Sequence, residues 1–474
     1  MSRILLIKPR FLELTPRIIT QPMGLMYIGA MLKKAGHELK IHDCALDYKK
    51  LQILRRTIKD WQPDFIGISI IVTEVEQTKK IMSIIREIQS DVPVTFGGPW
   101  PSANPEESIR TLGANYVVIG EGEFVFPELI EALNHRRLTE SISGTASLVN
   151  GSVKVNPGRH LTEEELDNLP FPAWELLDHQ LYAKMHSMPA VGCRPYMAIV
   201  TSRGCPYKCA YCHQTMGKIF RQRSAQSVVA EMEDLRFKLG FREIEIIDDC
   251  FNLDRRRMYE ILTGIRDRIG DARLHFPNGL RADMIEPQDM DVFKQAGTVS
   301  VIFAVETASP RLQKMIRKNL NLEKTLHAIK ASTQAGIYSA GFFMIGFPTE
   351  SYKEASDTVE FAVRSTLHRP MFLHVVPYAG TELAEMAAQG LKNEKSASDP
   401  QEMTFHASTV NISAMSDQEL QRVFRHAHMR VYLNPKIILR LALHHPQILA
   451  LPYYAFLMVL RILPRMRHQN RIGN

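Results

Sequence analysis

Three cysteines lie close together in one short stretch of the chain, with the spacing C-x3-C-x2-C. They are Cys205, Cys209 and Cys212, and they follow an apolar run, Met197–Thr201, that is typical of a buried strand. Three thiolates on one loop can hold three irons of a cubane [4Fe–4S] cluster, which normally takes four cysteine ligands. The fourth iron would then keep an open position at which a small molecule can bind.

Two other interpretations of these cysteines are available. A structural zinc site could take His213 as its fourth ligand, but zinc sites of this kind usually present two well-separated ligand pairs. Ligation by the adjacent Cys212 and His213 would be cramped. The cysteines could instead be inert core residues, yet three of them in eight residues on a polar loop rich in Gly, Pro and Lys suit a core poorly.

The stretch AIVTSRGCPYKCAYCHQ, residues 198–214, resembles the signature loop of the radical S-adenosylmethionine (SAM) enzymes. Tyr211 matches the aromatic residue that usually precedes the third cysteine in that family. The resemblance implies that the open iron binds the amino and carboxylate groups of SAM. It also implies that an electron from the cluster cleaves SAM to a 5′-deoxyadenosyl radical.

Composition and charge narrow the class of protein. The chain has 474 residues, six cysteines and a net charge of +7. Sparse, clustered cysteines argue against a disulfide framework and favour a reducing, cytoplasmic compartment. The apolar run at the N-terminus is too short for a signal peptide.

The basic excess lies in the tail. From Leu420 to Asn474 there are nine Lys or Arg and no Asp or Glu, so the first 419 residues carry 49 basic and 51 acidic residues (58 − 9 = 49). A nucleic-acid interface would need a basic face on the folded domains, so we expect no nucleic-acid partner.

Residues 1–135 predict an α/β domain in which five short apolar strands alternate with helices. This pattern indicates a parallel, doubly wound, flavodoxin-like sheet with its ligand at the carboxyl ends of the strands. Those ends lie at Ser69–Thr73, Gly97–Pro99 and Gly120–Glu123, where small residues would let a large ligand approach the backbone.

The phrases GISIIVTEVEQT, FGGPWPSANPEE and YVVIGEGE resemble the cobalamin-binding domain of B12-dependent radical SAM enzymes. The resemblance implies that three loops surround the nucleotide tail of cobalamin, through Ser69, Thr73, Gly97, Gly98, Gly120 and Glu121. The motif D-x-H-x-x-G, which supplies a histidine to cobalt in other cobalamin domains, is absent, and the chain reads DCALD from Asp43 to Asp47. We therefore expect no histidine from this motif on cobalt.

Residues 136–196 are predicted to be a linker with a small hairpin at residues 143–157, and residues 197–385 a second strand–helix alternation. Six strands there match the partial (β/α)6 barrel that the radical SAM resemblance implies. Glu306 is a candidate for the SAM ribose and Arg281 for the SAM carboxylate. Structural salt bridges are the alternative for both residues. Asp248 and Asp249, at a further strand end, could form an acid–base pair, or one could cap a loop while the other faces substrate or SAM.

Residues 386–474 are predicted to form a helical tail. A helix over Asp417–Tyr432 starts with a capping box at Ser416 and Glu419. The segment Pro446–Pro464 is apolar and flanked by arginines, but its uninterrupted apolar run is too short to span a bilayer. Peripheral contact with an anionic membrane surface and packing on the barrel both remain open.

Taken together, the two resemblances imply an enzyme that uses a [4Fe–4S] cluster, SAM and cobalamin. The expected reaction is methylation of an unactivated carbon of a small, hydrophobic molecule, with a low-potential electron donor such as flavodoxin or ferredoxin. One alternative is ring formation, ring contraction or oxidation with the same cofactors. Another is a non-catalytic cobalamin or redox sensor.

Overall fold

The computed structural model describes residues 1–10, 19–47, 51–189, 191, 193–212, 216–378, 380–390 and 411–452. The chain divides into two compact units. The N-terminal unit comprises residues 1–188, 193–205 and 214–241, and the C-terminal unit comprises residues 189–192, 206–213 and 242–474. These units reflect packing, and the domain boundaries after residues 135, 196 and 385 stay predictions.

A seven-stranded sheet forms the centre of the N-terminal unit, in the order β2-β1-β3-β4-β5-β6-β7. Its strands are β1 (Arg3–Lys8), β2 (Glu38–Asp43), β3 (Phe65–Ser69), β4 (Val94–Gly97), β5 (Tyr116–Val118), β6 (Thr145–Val149) and β7 (Ser152–Val155). The first five strands are parallel, and their order is that of the predicted flavodoxin-like domain. This part of the predicted fold is confirmed.

Both faces of the sheet are covered by helices, and strand β1 shows why. Successive side chains in a strand point to opposite faces. Accordingly, Leu5 and Ile7 belong to one apolar cluster, whereas Ile4 and Leu6 belong to the other. All four are fully buried, and each contributes about 1.5–3 kcal/mol relative to an exposed position. A four-residue apolar run is thus the sequence signature of a strand between two helical layers.

Helices alternate with the strands in residues 1–135, as predicted, and further helices of the N-terminal unit were not predicted individually. The helices of this unit are α1 (Met23–Lys34), α2 (Gln52–Trp61), α3 (Val75–Ile88), α4 (Pro99–Ala103), α5 (Pro105–Arg110), α6 (Val125–Asn134), α7 (Glu163–Asn168), α8 (His179–Tyr182) and α9 (Ala225–Glu233). Helices α1 and α6 bury one face of the sheet, and α2, α3 and α5 bury the other.

The predicted hairpin is present, and it extends the sheet. Asn150 and Gly151 form the turn between β6 and β7 with φ angles of 49° and 80°, the left-handed pair that a two-residue hairpin turn requires. Strand β6 pairs antiparallel with β5, at Val117 and Ala146 among other positions. The sequence predicted the hairpin within the linker and did not indicate this pairing.

Three further strands of the N-terminal unit lead into and out of the cysteine loop. They are β8 (Tyr196–Ile199), β9 (Ser202–Arg203) and β10 (Arg221–Gln222). Strands β9 and β10 are antiparallel partners, with Arg203 opposite Arg221. The segment that carries the three cysteines is therefore closed at its base by a short two-stranded ladder.

The C-terminal unit is built on parallel strands that are neighbours in chain order. They are β11 (Glu243–Ile246), β12 (Arg273–Leu280), β13 (Thr298–Glu306), β14 (Tyr338–Ile345) and β15 (Arg369–His374). With β8, all six strands predicted for the second alternation are present. The helices are α10 (Arg255–Arg268), α11 (Asp289–Gln295), α12 (Pro310–Met315), α13 (Leu322–Gln334), α14 (Tyr352–Arg364), α15 (Glu382–Gly390), α16 (Asp417–Tyr432) and α17 (Pro435–His444).

The C-terminal part of the described chain is helical, as predicted. Helix α16 begins with the predicted capping box: the Ser416 hydroxyl accepts from the Glu419 amide at 3.3 Å, and the Glu419 carboxylate accepts from the Ser416 amide at 2.8 Å. None of the helices in the described ranges is long and apolar enough to cross a membrane. The apolar segment predicted at residues 446–464 lies largely outside the described residues, which end at 452.

Candidate functional site

The cysteine loop begins at Gly204, directly after β9. Gly204 has a φ of +80°, and a Cβ atom there would lie 2.3 Å from the carbonyl oxygen of Ile219. Only glycine fits so close an approach. One residue further on, the amide of Cys205 donates to the carbonyl of Gly217 at 3.2 Å. The outgoing and returning ends of the loop are therefore fixed to each other beside the first cysteine.

The middle of the loop belongs to the C-terminal unit and is fixed there through Ala210. The Ala210 amide donates to the carbonyl of Ile316 at 2.9 Å, and its own carbonyl accepts from the amide of Leu383, also at 2.9 Å. The Cys212 amide donates to the carbonyl of Cys209 at 3.2 Å, which makes a turn between these two cysteines. Both neighbours of Tyr211 are thus tied into regular hydrogen bonds.

The donor set of the loop fits an iron–sulfur cluster. The three cysteines carry thiols and form no disulfide; Cys205 and Cys209 are partly exposed, and Cys212 is exposed. Accessible sulfur donors on a loop with a fixed backbone are what a cluster requires. His213, the alternative zinc ligand, lies outside the described residues. Among the described residues, the three cysteines included, no three His, Cys, Asp or Glu side chains are gathered as a ready-made metal site. The fit to a cluster therefore rests on the chemistry and spacing of the thiols and not on their present arrangement.

Half-buried Tyr211 and the buried residues Glu306 and Lys318 form a polar group in the C-terminal unit. The Tyr211 hydroxyl donates to Oε1 of Glu306 at 3.1 Å, and Nζ of Lys318 lies 3.0 Å from both that oxygen and the Tyr211 hydroxyl. Burial, followed by the negative charges of Glu306, Cys209 and Cys212, raises the pKa of Tyr211 well above its ordinary value. Two predicted SAM contacts, Tyr211 and Glu306, are therefore brought together.

The backbone around Glu306 is held in an unusual conformation by Gln313. Glu306 ends β13 with a φ of +69°, a left-handed conformation that costs free energy in a residue other than glycine. The side-chain amide of Gln313 donates to the carbonyls on either side, 2.9 Å from Val305 and 2.7 Å from Thr307. The backbone carbonyl of Gln313 accepts from the Lys318 amide at 3.1 Å. One residue thus braces both halves of the Glu306–Lys318 ion pair.

Arg281, the third predicted SAM contact, does not join the Tyr211–Glu306 hydrogen bond and has other partners. Its guanidinium forms an ion pair with Asp283 at 3.0 Å, donates to the carbonyl of Lys318 at 3.1 Å and stacks 3.8 Å from the ring centre of Tyr207. Tyr207 lies on the cysteine loop, so Arg281 is in direct contact with that loop. Its role toward the SAM carboxylate stays a prediction.

The two aspartates after β11 lie in different environments. Asp248 is buried, with 3% of its surface exposed, whereas Asp249 is exposed. Asp248 and Asp249 are therefore not an equivalent acid–base pair.

Three of the predicted cobalamin-loop residues meet at the ends of β3 and β4. Ser69 pairs with Gly97 in the sheet register. Gly98 has a φ of +94°, and a Cβ atom there would lie 2.9 Å from the carbonyl oxygen of Ile70 and 3.0 Å from the hydroxyl of Ser69. A side chain at Gly98 would therefore collide with Ile70 and Ser69, so this turn needs glycine to pack against the end of β3.

Thr73 and Gly120 lie in turns next to strand ends. Thr73 is in a short 3-10 helix, Val72–Glu74, after β3. Gly120 follows β5 with a φ of +77°, and its amide donates to the Ser102 hydroxyl at 2.9 Å. Open glycine backbone and hydroxyl groups at these strand ends fit the nucleotide tail of cobalamin, and the individual contacts stay predictions.

Glu121 has protein partners for its carboxylate. The side chain is 8% exposed; Oε1 lies 2.7 Å from Arg221, and Oε2 accepts from the Leu161 amide at 2.7 Å. Burial acts to raise the pKa of Glu121, but the bond from Arg221 and the charge of Arg203 outweigh it and lower the pKa below its ordinary value. Glu121 is therefore an ionised carboxylate held by arginines.

The stretch DCALD, where the cobalt-binding histidine motif is absent, is packed into the protein. The Tyr182 hydroxyl donates to Asp43 at 2.6 Å. Cys44 is fully buried, and Asp47 accepts from the amides of Ile53 and Leu54 at the start of α2. The acidic side chains of this stretch thus have structural partners.

A parallel sheet with glycine turns at its strand ends, and a loop with three thiols beside a second set of parallel strands, are the arrangement expected of an enzyme with two cofactor sites. The sequence matches the B12 binding domain over residues 10–130 and the Radical SAM superfamily over residues 199–362. The chain belongs to the B12-dependent radical SAM enzymes. Cobalamin, SAM and a [4Fe–4S] cluster, the predicted cofactors, are those of this class.

Relatives match the chain over most of its length. The uncharacterized methyltransferase PH0819 of Pyrococcus horikoshii is 29% identical over 449 residues, covering 94% of this chain and 95% of that protein. The cytidylyl-2-hydroxyethylphosphonate methyltransferase of Streptomyces wedmorensis is 29% identical over 476 residues, covering 88% and 87%. The fold is also that of the radical SAM methyltransferase TsrM from Kitasatospora setae, at 21% identity, a TM-score of 0.69 and coverage of 83% and 80%.

Sequence reasoning missed several of the charged and polar residues around the site. Lys318 and Gln313 lie in an ordinary polar segment after Glu306, and neither has a motif that would mark it. Arg203 and Arg221 lie before and after the cysteine stretch, and nothing in the sequence marks them as a pair. Their partners, Glu121 and Glu123, are some 80 to 100 positions away in the sequence, so the pairing becomes visible only in the fold.

Proposed function

We propose that this enzyme transfers a methyl group to an unactivated carbon of a small molecule. The observation that carries the proposal is the match, across nearly the whole chain, to two proteins named as methyltransferases. Similarity over the cofactor domains alone would not favour methyl transfer, because proteins named as cyclases are also similar to this chain. The likeness extends beyond the two domains into the C-terminal region, where a reaction-specific substrate contact can lie.

The chain's own residues would bind and orient SAM. When bound, the cofactors supply the methyl group and the radical that removes hydrogen from the substrate carbon. Cys205, Cys209 and Cys212 hold the cluster. Lys318 and Tyr211 both contact Oε1 of Glu306, so we assign Oε2 to a ribose hydroxyl of SAM.

The test is the fate of a labelled methyl group. The anaerobically reconstituted protein would receive SAM with a deuterated methyl group, a strong reductant and a host extract enriched in hydrophobic metabolites. We expect a new, protein-dependent species that carries the three deuterium atoms. Consumption of a metabolite without incorporation of the label would contradict methyl transfer.

A second candidate is ring formation with the same cofactors. An anaerobic magnesium-protoporphyrin IX monomethyl ester cyclase of Cereibacter sphaeroides is 22% identical over 354 residues. A cyclisation would change the mass of the product by loss of hydrogen or gain of oxygen, and the label would stay out of it. The same experiment therefore separates the two reactions.

We propose a flavodoxin or ferredoxin as the electron donor. Exposure of Cys212 supports this proposal, because an accessible ligand would place the cluster close to the surface. Adding a flavodoxin, its reductase and NADPH should sustain SAM cleavage without a chemical reductant. No cleavage with either protein donor would contradict the proposal.

We also propose that the enzyme is cytoplasmic and contacts an anionic membrane surface through α17. Ile438, Leu439 and Leu443 are 48%, 59% and 68% exposed on this helix. The chain beyond Glu419 has basic but no acidic residues, which suits anionic lipid. Tyr453 and Tyr454, the interfacial tyrosines predicted from the sequence, lie outside the described residues.

Vesicle sedimentation tests the membrane proposal. The full chain should sediment with vesicles rich in phosphatidylglycerol and stay in solution with phosphatidylcholine alone. Leu439→Glu combined with Leu443→Glu should abolish sedimentation, and Leu138→Glu, at an exposed leucine far along the chain from the tail, should not. Equal sedimentation of all three proteins would contradict a role for α17.

A further inference from the structure

Four charged side chains are buried together at the base of the cysteine loop. Arg203 and Arg221 are each 5% exposed, Glu121 is 8% exposed and Glu123 is 4% exposed. Charged residues are rarely buried unless they are paired, because leaving water costs several kcal/mol per ion. All four belong to the N-terminal unit. Their burial as a group therefore calls for a structural or functional reason.

The two arginines hold both ends of the loop. Arg203 ends β9, Arg221 begins β10, and the two residues are opposite each other in the ladder. Arg221 also donates to the backbone carbonyl of Met216, at 3.0 Å, on the returning end of the loop. The positions of both guanidinium groups are thus tied to the place where the cysteine loop leaves and re-enters the fold.

The two glutamates lie on the turn after β5, the turn that contains Gly120. Glu121 contacts Arg221 at 2.7 Å and Arg203 at 3.7 Å, and Glu123 contacts Arg203 at 2.6 Å. Each arginine is therefore bound to the Gly120 turn, and the carboxylate of Glu121 is bound to both. The turn after β5 and the base of the cysteine loop form one continuous ionic group.

We propose that Glu121 and Glu123 are positioning residues that fasten the base of the cysteine loop to the glycine turn after β5. This ionic group, the loop latch, consists of Glu121, Glu123, Arg203 and Arg221. The turn is a predicted cobalamin contact, and the loop bears the cluster ligands, so the latch fixes one cofactor loop against the other. This role does not depend on whether the product is methylated.

The latch assigns Glu121 a different role from cofactor contact, and the two roles have different consequences. A glutamate that contacts cobalamin would affect the affinity for cobalamin when replaced and leave the cysteine loop unchanged. A latch glutamate would leave cobalamin affinity nearly unchanged, whereas the base of the loop would open more often. Replacement of Glu121 by the isosteric Gln removes the charge and keeps the shape.

Hydrogen–deuterium exchange of the full-length apoprotein measures the opening directly, without any cofactor. In Glu121→Gln we expect backbone amides of residues 216–222 to exchange about tenfold faster than in wild type, because a paired buried arginine becomes unpaired. After reconstitution, a chelator should remove iron from the variant faster than from wild type. The spectral change of the reduced cluster on addition of SAM should weaken, and cobalamin should bind within about threefold of wild-type affinity.

Glu231→Gln is the matched control. Glu231 is fully buried and forms an ion pair with Arg223, two residues beyond Arg221. This pair does not include the turn after β5, so its loss would destabilise the protein in a similar way without releasing the latch. At matched thermal stability, the chelator should remove iron faster from Glu121→Gln than from Glu231→Gln.

A double variant tests whether the arginine is the stranded partner. Adding Arg221→Gln to Glu121→Gln should recover part of the lost thermal midpoint, while exchange at residues 216–222 stays fast. Weakening of cobalamin binding by tenfold or more with normal exchange would overturn the proposal, because Glu121 would then contact the cofactor. Equal iron loss in Glu121→Gln and Glu231→Gln would overturn it as well.

Discussion

Lys318 lies between two residues with left-handed backbones, Arg317 and Asn319, with φ angles of 54° and 51°. Its side chain is 9% exposed, and that of its partner Glu306 is 7% exposed. Two left-handed φ angles cost free energy. The ion pair between the Lys318 ammonium group and the Glu306 carboxylate offsets that cost. The contact sets the position of the Glu306 carboxylate at the end of β13.

Lys318→Met should therefore leave Glu306 buried without its counter-charge. We expect the free energy of unfolding to fall by about 3 kcal/mol, the usual cost of breaking a buried pair from one side. The double variant Lys318→Met with Glu306→Gln should be more stable than Lys318→Met alone. Thermal unfolding of the apoproteins measures both effects, and strictly additive losses would show that the two side chains are not energetically coupled.

Cys209 provides the most direct test of the cluster assignment. Cys209→Ala should remove most of the cluster iron and abolish SAM cleavage by the reduced protein. Cys193→Ala is the matched control, because Cys193 is exposed and lies outside the loop, and it should retain both. Continued SAM cleavage by Cys209→Ala above the protein-free background would remove Cys209 from the ligand set.

Glu350 predicts a pH dependence of stability. It is fully buried after β14, accepts from the amides of Gly346 and Phe347, and burial raises its pKa from 4.5 to about 7. Between these values the folded state binds more protons than the unfolded state, so stability falls as the pH rises from about 4.5 to 7 and stays lower above it. The full effect is about 3 kcal/mol.

Glu350→Gln should remove this dependence. Its thermal midpoint relative to wild type should be higher at about pH 8 than at about pH 5, where the native carboxyl is already protonated. Scans of both apoproteins at the two values measure the difference. If the thermal midpoints of wild type and Glu350→Gln differ by the same amount at both pH values, the pKa of Glu350 is not raised.

The turn between β4 and α4 shows how a predicted ligand loop depends on one glycine. Gly98 has a positive φ and lies within 3.0 Å of backbone and hydroxyl groups at the position where a Cβ would be. Gly98→Ala should cost about 1–3 kcal/mol of stability through strain and crowding. Binding of cobalamin should weaken, since Ser69 and the Gly97–Gly98 backbone would have to shift.

Gly24→Ala is the control for this substitution. Gly24 lies in α1 with no atom within 4 Å of a Cβ placed there. Alanine at this position should stabilise the helix by about 0.5–1 kcal/mol and leave cobalamin affinity unchanged. Titration of both variants with cobalamin makes the comparison, and equal affinity of Gly98→Ala and wild type would exclude this turn from the cofactor site.

At the scale of strands and helices, the sequence predicted those elements whose position depends on a local pattern of apolar residues. The runs ILLIK and DFIGISII are apolar because β1 and β3 are covered on both faces, and that requirement is visible in consecutive residues. The pairing of β5 with β6 is set by contacts between distant segments, so nothing local in the hairpin indicates it. The pair of Asn150 and Gly151 specified the turn, because both adopt left-handed angles.

The predicted site divides in the same way. The cysteines were found because cluster binding demands a fixed spacing within one loop. Arg221 and Glu121 lie 100 positions apart, and Lys318 and Tyr211 lie 107 positions apart. Their pairing depends on how strands and turns assemble, which spacing in the sequence does not encode.

At the scale of the whole molecule, the chain combines two parallel-sheet arrangements that bring two kinds of cofactor loop into one polypeptide. The glycine turns lie at strand ends of the N-terminal sheet, and the cysteine loop leaves the fold between β9 and β10. The loop latch links one glycine turn to the base of the cysteine loop within the N-terminal unit.

Methyl transfer by this B12-dependent radical SAM enzyme is tested most directly by the products of SAM. The reconstituted protein would be incubated with SAM, cobalamin, a low-potential reductant and substrate-containing extract, and both SAM-derived products would be counted by mass spectrometry. The account predicts S-adenosylhomocysteine and 5′-deoxyadenosine in about equal, protein-dependent amounts, one SAM being used for each. 5′-Deoxyadenosine alone, formed in response to the extract, would contradict methyl transfer.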